Sequence, residues 1–261
     1  MLTNNSKKTK QSLSYKILSH KLPAKIYALL NNKKCYCCPI CSYEGPFLNV
    51  ISLTGKRKDV HCPRCRSYER HRLQYLVFKN ITKKLELDKM KILHFAPEKC
   101  FENEFRKIFG EYLSADLNKP NVDCQEDLTH LSFQSDSFDI VYASHVLEHI
   151  KDDEMALAEI KRILKKTGFA ILPVPIIGKK TVEYPEANLD EECHVRCPGI
   201  DYFEKYKKHF SKVEIYSSKD FNRKYQVYIY EDRKNYSKKL MPLRQQVDGE
   251  KHEDFVPICF K

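Results

Sequence analysis

Glycine is scarce in this chain of 261 residues, with seven, and proline numbers twelve. That is too little of either for a low-complexity or fibrous protein, so the chain is globular. No apolar run approaches the roughly 20 residues needed to span a bilayer. The N-terminus alternates Lys with Leu and Ile instead of building a signal-peptide core, so the expected location is cytoplasmic, with no membrane span. Thiols stay reduced there, which turns the 11 cysteines away from a disulfide framework and towards metal ligation. The length allows one substantial core plus a small accessory module. What is abundant is positive charge: 46 Lys and Arg against 35 Asp and Glu leave a formal +11. Such a balance favours anionic partners such as phosphates, sugar nucleotides or nucleic acid, although an ordinary solvated lysine-rich surface gives the same number.

Residues 1–34 read as a polar tail, Met1 to Lys10, expected to be disordered, followed by two short helices between Leu13 and Leu30 broken at Pro23. A basic amphipathic stretch of this kind packs on its own domain more often than on a membrane. Residues 35–82 form a separate unit. Cys38 and Cys41 make one Cys-x2-Cys knuckle and Cys62 and Cys65 another, with 20 residues between them. That is the spacing of a four-cysteine zinc ribbon, a closed structural Zn2+ site. Pro39 and Pro63 stand at the same offset in the two knuckles, whereas Cys35, also in Cys-x2-Cys relation to Cys38, leaves a shifted ligand set open. Behind the second knuckle, Arg64, Arg66, Arg70, His71 and Arg72 crowd the start of a helix. Guanidinium forks there bind phosphate bidentately or fix the ribbon to the neighbouring domain, and spacing does not separate the two.

Residues 83–261 alternate strands and helices. Lys91–Glu98, KILHFAPE, is an apolar strand running into a turn, and Tyr112–Ala115 is a second strand that ends on Asp116. Phe138–Tyr142 reads as a buried central strand, opened by turn residues and followed by Ser144, His145, Glu148 and His149. In open parallel sheets that carboxyl edge is where ligands bind. Asp152–Lys166 carries acids in its first turn and bases in its last, with Gly168 beyond it, and predicts a helix before the strand Phe169–Pro175. The remaining expectations are a polar segment, 176–199, that covers the substrate, a helix at Tyr202–His209, and final strands at Lys212–Ser217 and Tyr225–Tyr230.

Two of these stretches, FDIVYASHVLEHI and EIKRILKKTG before an apolar strand, resemble the class I S-adenosylmethionine (SAM) dependent methyltransferases. CPRCRSYERHRL followed by LHFAPE is similar to a group of these that carries an N-terminal zinc ribbon. The resemblance implies an α/β fold, a Rossmann-like seven-stranded methyltransferase sheet preceded by a small zinc-ribbon module, with SAM as cofactor. It assigns the cofactor site to His94, Phe95, Ala96, Pro97, Glu98, Asp116, Leu117, Asp127, Leu128, Ser144 and His145. Asp116 would meet the ribose hydroxyls, Asp127 the adenine amine and Glu98 the cofactor's ammonium. One departure stands out: no glycine lies between Lys91 and Phe109, where the class at large has a glycine-rich loop, although the ribbon-bearing group shares the change. His194, His145 and His149 are the candidate general bases, with His194 preferred. Arg70, Arg72, Glu183 and Arg196 are the candidate substrate contacts. Cys193 and Cys197 flank His194 at a spacing too poor for a second metal site.

The expected reaction is O-methylation of a small anionic substrate, such as a nucleotide-activated sugar or glycan precursor. Two other readings stay open: an RNA methyltransferase that uses ribbon and arginines to hold RNA, and a non-catalytic ribbon adaptor. The chain lacks an Asn-Pro-Pro-Tyr type of motif, which speaks against methylation of a base amine, and the compact arginine cluster suits a diphosphate better than a polymer.

Overall fold

The computed structural model describes residues 35–52, 55–232 and 251–261. The tail and short helices expected before residue 35 lie outside them. Among the described residues no helix is long and apolar enough to cross a membrane.

The chain opens with a ribbon. Strands β1 (Tyr36–Cys37) and β2 (Glu44–Gly45) bracket the first knuckle, and β3 (Leu48–Ser52) and β4 (Gly55–His61) form a hairpin that delivers the second. The two knuckles are copies of each other. Cys38 N donates to Tyr43 O and Ser42 N to Cys38 O, while Cys62 N donates to Ser67 O and Arg66 N to Cys62 O. Ser42 and Arg66, four residues past the first cysteine of each, both take left-handed backbone, with φ of 56° and 61°. The matched prolines of the sequence therefore mark a matched turn. Helix α1 (Glu69–Ile81) follows.

The central sheet is built from β5 (Lys91–Phe95), β6 (Glu111–Asp116), β7 (Cys124–Gln125), β8 (Phe138–Ala143), β9 (Leu164–Ile171), β12 (Lys212–Ser217) and β15 (Phe255–Phe260). Its spatial order is β12-β15-β9-β8-β5-β6-β7. The strands from β7 to β9 are parallel, and β15 inserts antiparallel between β9 and β12. Burial on both faces explains why the strands read as continuous apolar runs. Leu93, Phe95, Val141 and Ala170 point to one side, packing with Leu157, Ile160 and Ile163 of α3 (Asp153–Ile163) and Tyr206 of α4 (Phe203–His209). Ile92, Ile140, Tyr142 and Ile258 point to the other, against Leu73, Val77 and Phe78 of α1 and Phe101 and Phe105 of α2 (Lys99–Ile108). The helix behind the ribbon is thus a layer packed on the central sheet.

Two sequence expectations, the seventh strand and the end of the helix before β9, are corrected. The seventh strand is Phe255–Phe260, not Tyr225–Tyr230; Pro257, which removes a backbone donor, disguised it. The stretch around Tyr225 instead leads into β13 (Ile229–Asp232), which with β14 (Lys251–His252) completes the ribbon's sheet in the order β14-β13-β4-β3. Helix α3 stops at Ile163, and β9 starts at once, its Gly168 so close to Asp139 that an added Cβ would lie 2.8 Å from that carbonyl oxygen. Segment 176–199 contains a hairpin, β10 (Val182–Asn188) with β11 (His194–Cys197).

Candidate active site

The carboxyl ends of β5, β6 and β8 meet at one edge. The missing glycine is replaced at Ala96, which adopts φ 48° and donates its N–H to Ala115 O at 2.8 Å, so a small residue takes the left-handed turn. Glu98, at the start of α2, receives His94 Nε2 at 2.8 Å, and His94 Nδ1 lies 3.0 Å from the Tyr112 hydroxyl. Burial alone would raise the Glu98 pKa, but the bond and charge of His94, with His71 beyond, outweigh it and hold the carboxyl at about 2. A near-buried anion therefore stands at the end of β5. His94 and Phe95 are themselves in the core, at 0% and 3% exposure. His94 orients Glu98, and Phe95 packs beneath.

Ser144, at the end of β8, exchanges hydrogen bonds with Gln74 of α1, whose Oε1 also accepts from the Tyr142 hydroxyl at 2.6 Å. The ribbon's helix is thereby pinned to the candidate cofactor edge. Gln74 escaped the sequence reading, although a glutamine amid the apolar stripe of α1 was the available signal. On β6 and beyond, Asp116 Oδ1 accepts from Asn118 N and Lys119 N, both at 2.9 Å, which stiffens the loop and commits one of the two carboxylate oxygens. Leu117 next to it is 57% exposed, an apolar surface at the sheet edge. Asp127 is likewise a turn residue, its Oδ1 accepting from the N–H and hydroxyl of Thr129, and Leu128 belongs to the core.

The turn after β8 bears the histidines. His145 takes φ 55° and donates its N–H to Pro173 O, which turns its ring back towards Glu148, with Nδ1 3.3 Å from Oε1. The hairpin β10–β11 lays His194 beside this turn, its ring centroid 4.7 Å from that of His149. Burial, aided by the neighbouring histidines and opposed by Glu148, holds His194 down at about 4, so it is neutral at pH 7. Glu148, His149 and His194 each offer a ligand atom within 4.8 Å of the others. Glu148 stands in the sequence as one of the polar residues after the central strand, with no role assigned to it; an acid inside the apolar run VLEHI is its mark.

Arg196 and Glu183, expected to contact substrate, hold this turn to the hairpin. Arg196, 2% exposed, donates to the carbonyls of Leu147, Ile150 and Lys151 at 2.5–2.9 Å and pairs with Glu183 and Asp153. Arg72, also expected to contact substrate, is placed in a similar tie. Fully buried, it donates to the carbonyls of Val60, Ser67, Tyr225 and Gln226 and lies over Phe47, joining the ribbon to the C-terminal stretch. Arg70, half-buried over Tyr68, keeps its guanidinium beside the His71 ring, near the Glu98 edge.

Cys38, Cys41, Cys62 and Cys65 cluster with sulfurs 3.6 Å apart for Cys38–Cys65 and 3.5 Å for Cys41–Cys62. Corners about 2.3 Å from a central zinc lie about 3.8 Å from one another, so the set fits a tetrahedral ion. Cys35 is exposed and is not in the set, which closes the shifted alternative.

Residues 98–172, spanning β8, α3 and β9, match a family described as a methyltransferase domain. The match covers less than a third of the chain. No curated protein matches it. Its structure is similar to a SAM-dependent methyltransferase from Mesorhizobium loti (13% identity over 72% of this chain and 97% of the other, TM-score 0.46) and one from Archaeoglobus fulgidus (13%, 72% and 94%, TM-score 0.43). A Haemonchus contortus N-methyltransferase in complex with phosphomonomethylethanolamine and S-adenosylhomocysteine is also similar (15%, 72% and 52%, TM-score 0.47).

Proposed function

We propose that the chain methylates a hydroxyl group of a small anionic acceptor, a nucleotide-activated sugar or glycan precursor being the class it suits, with SAM as methyl donor and a structural zinc ion in the ribbon. The observation that carries this reading is a juxtaposition: an ionised Glu98 at the end of β5 and an imidazole cluster at the end of β8, on adjacent parallel strands.

SAM, when bound, supplies a methyl group on a positively charged sulfonium. Glu98 suits its ammonium, Asp116 Oδ2 its ribose and the exposed Leu117 its adenine face, while Ala96 keeps the backbone close. The acceptor oxygen would form its bond to the methyl carbon as the carbon–sulfur bond breaks and the electron pair passes to sulfur. The acceptor's proton would leave to the imidazole cluster, where His194 is neutral and able to take it, a contribution of roughly 10²–10⁴-fold. With Arg72 and Arg196 committed to backbone carbonyls, Arg70 is the remaining contact for the acceptor's negative charge.

Calorimetry with SAM, followed by transfer of labelled methyl to a sugar-nucleotide panel and, separately, to total RNA, tests the proposal. SAM binding that Asp116→Ala weakens, with label in a sugar nucleotide, is the expected result. Label in RNA would overturn the acceptor class, and absence of SAM binding would overturn the enzyme.

A further inference from the structure

The cluster at the turn after β8 is built for more than proton transfer. Glu148 is fully buried, yet neither of its carboxylate oxygens has a hydrogen bond. His145 reaches one oxygen at 3.3 Å, and the other ring nitrogen of His145 is also buried without a partner among the described residues. An acid in such surroundings is unsatisfied unless a cation joins it. Two imidazoles face the same point. His149 comes from the same turn, and His194 from β11, aimed there by left-handed backbone at Glu192 and Cys193, with φ of 57° and 67°. Arg196 then ties the hairpin to the turn through three carbonyls, so the three ligands are preassembled from segments 45 residues apart. Behind His194, Glu191 Oε2 lies 3.9 Å from Nδ1, beyond hydrogen-bond reach, and accepts from the Tyr184 hydroxyl at 2.7 Å.

We infer that Glu148, His149 and His194 form a divalent transition-metal site, distinct from the four cysteines, whose open positions take the acceptor's hydroxyl oxygen. Two imidazoles and one carboxylate suit zinc or its first-row neighbours, and His149 is solvent-exposed, which leaves the site open on one side. The role rests on the methyl-transfer reading and alters one step of it. The metal-bound hydroxyl loses its proton to water, and the resulting oxygen lone pair forms the bond to the methyl carbon while the carbon–sulfur electron pair goes to sulfur.

The test uses the full chain, desalted after loading with excess Zn2+, with metal counted by mass spectrometry and SAM binding followed in parallel. The wild type should hold two zinc ions per chain. His149→Asn, an exposed change that leaves the core alone, and Glu148→Gln should each hold one, with zinc affinity at the second site lowered at least about tenfold. Loading with Co2+ should give intense thiolate bands in all three proteins and a weaker second set of bands in the wild type alone. One zinc per chain in a wild type that binds SAM refutes the metal site and leaves methyl transfer standing. Two zinc ions in the wild type and in both variants also refutes it. Two in the wild type and one in each variant, in a protein without SAM affinity, upholds the site and removes methyl transfer.

Discussion

Replacing Arg196 by Met separates two roles that an arginine in a substrate-covering segment can have. Met keeps the apolar volume of the stem and removes every donor. The carbonyls of Leu147, Ile150 and Lys151 then lose partners inside the fold, and Asp153 loses one of its cations, keeping Lys205 and Tyr202 at 2.9 and 2.5 Å. The Glu183 pair is half-exposed and adds little. Breaking a buried charged cluster from one side costs about 3–5 kcal/mol, and at about 2–4 °C per kcal/mol for a chain of this size the melting temperature falls by about 10 °C. Differential scanning calorimetry measures it directly. Arg196→Lys should recover only part of the loss, because one ammonium cannot reach three carbonyls in fork geometry. A substrate contact would behave otherwise, with wild-type melting and a raised KM. An Arg196→Met protein that melts with the wild type refutes the tie between turn and hairpin.

Four further outcomes follow from the same geometry. Cys62→Ser should remove the ribbon's metal and lower solubility, since the ribbon's sheet has little other core; metal analysis and gel filtration decide it. Arg72→Met should destabilise by about 3–5 kcal/mol in chemical denaturation, because its carbonyl partners span the ribbon and residues 225–226. Acid should weaken the fold in two stages. His71 and His194 are held at about 3 and 4 against roughly 6.5 unfolded, so protons bind the unfolded chain first and stability declines below about pH 6.5; Glu98, at about 2 against roughly 4.3, adds a loss between about pH 5 and 2 that Glu98→Gln abolishes in pH-dependent melts. Gly168→Ala should cost about 1–3 kcal/mol in urea titration, since its Cβ would collide with the Asp139 carbonyl.

What the sequence reveals and what it hides divide along the range of the interactions. The cysteine knuckles, the apolar strands from Lys91 to Ile171 and the acid at the end of β6 are local signals, set by spacing and period, and the fold meets them. The buried arginines are not local. Arg72 and Arg196 look like surface cations until carbonyls about 150 and 45 residues away in the chain surround them. β15 failed for a different reason: a proline sits inside the strand, and its partners β9 and β12 lie far upstream, so no nearby periodicity declared it. The helix end at Ile163 is hidden because Lys165 and Lys166 extend a helical charge pattern that the strand takes over.

The same long-range ties explain how the ribbon reaches the edge of the central sheet without lying in it. The second knuckle leads directly into α1; α1 packs its Leu73, Val77 and Phe78 on the sheet and hands Gln74 to Ser144 at the active edge. Arg72, on the buried side of the same helix, holds the knuckle carbonyls on one side and Gln226 on the other. The C-terminal stretch then returns through β13 and β14 to finish the ribbon's sheet before β15 enters the central one. A metal that orders the knuckles therefore fixes the register of α1, and with it the position of Ser144. Loss of the ribbon's metal should accordingly weaken SAM binding as well as the ribbon itself. SAM affinity measured on Cys65→Ser protein, at a temperature where circular dichroism still reports a folded sheet, checks this coupling, and undiminished affinity would break the chain of reasoning at Gln74.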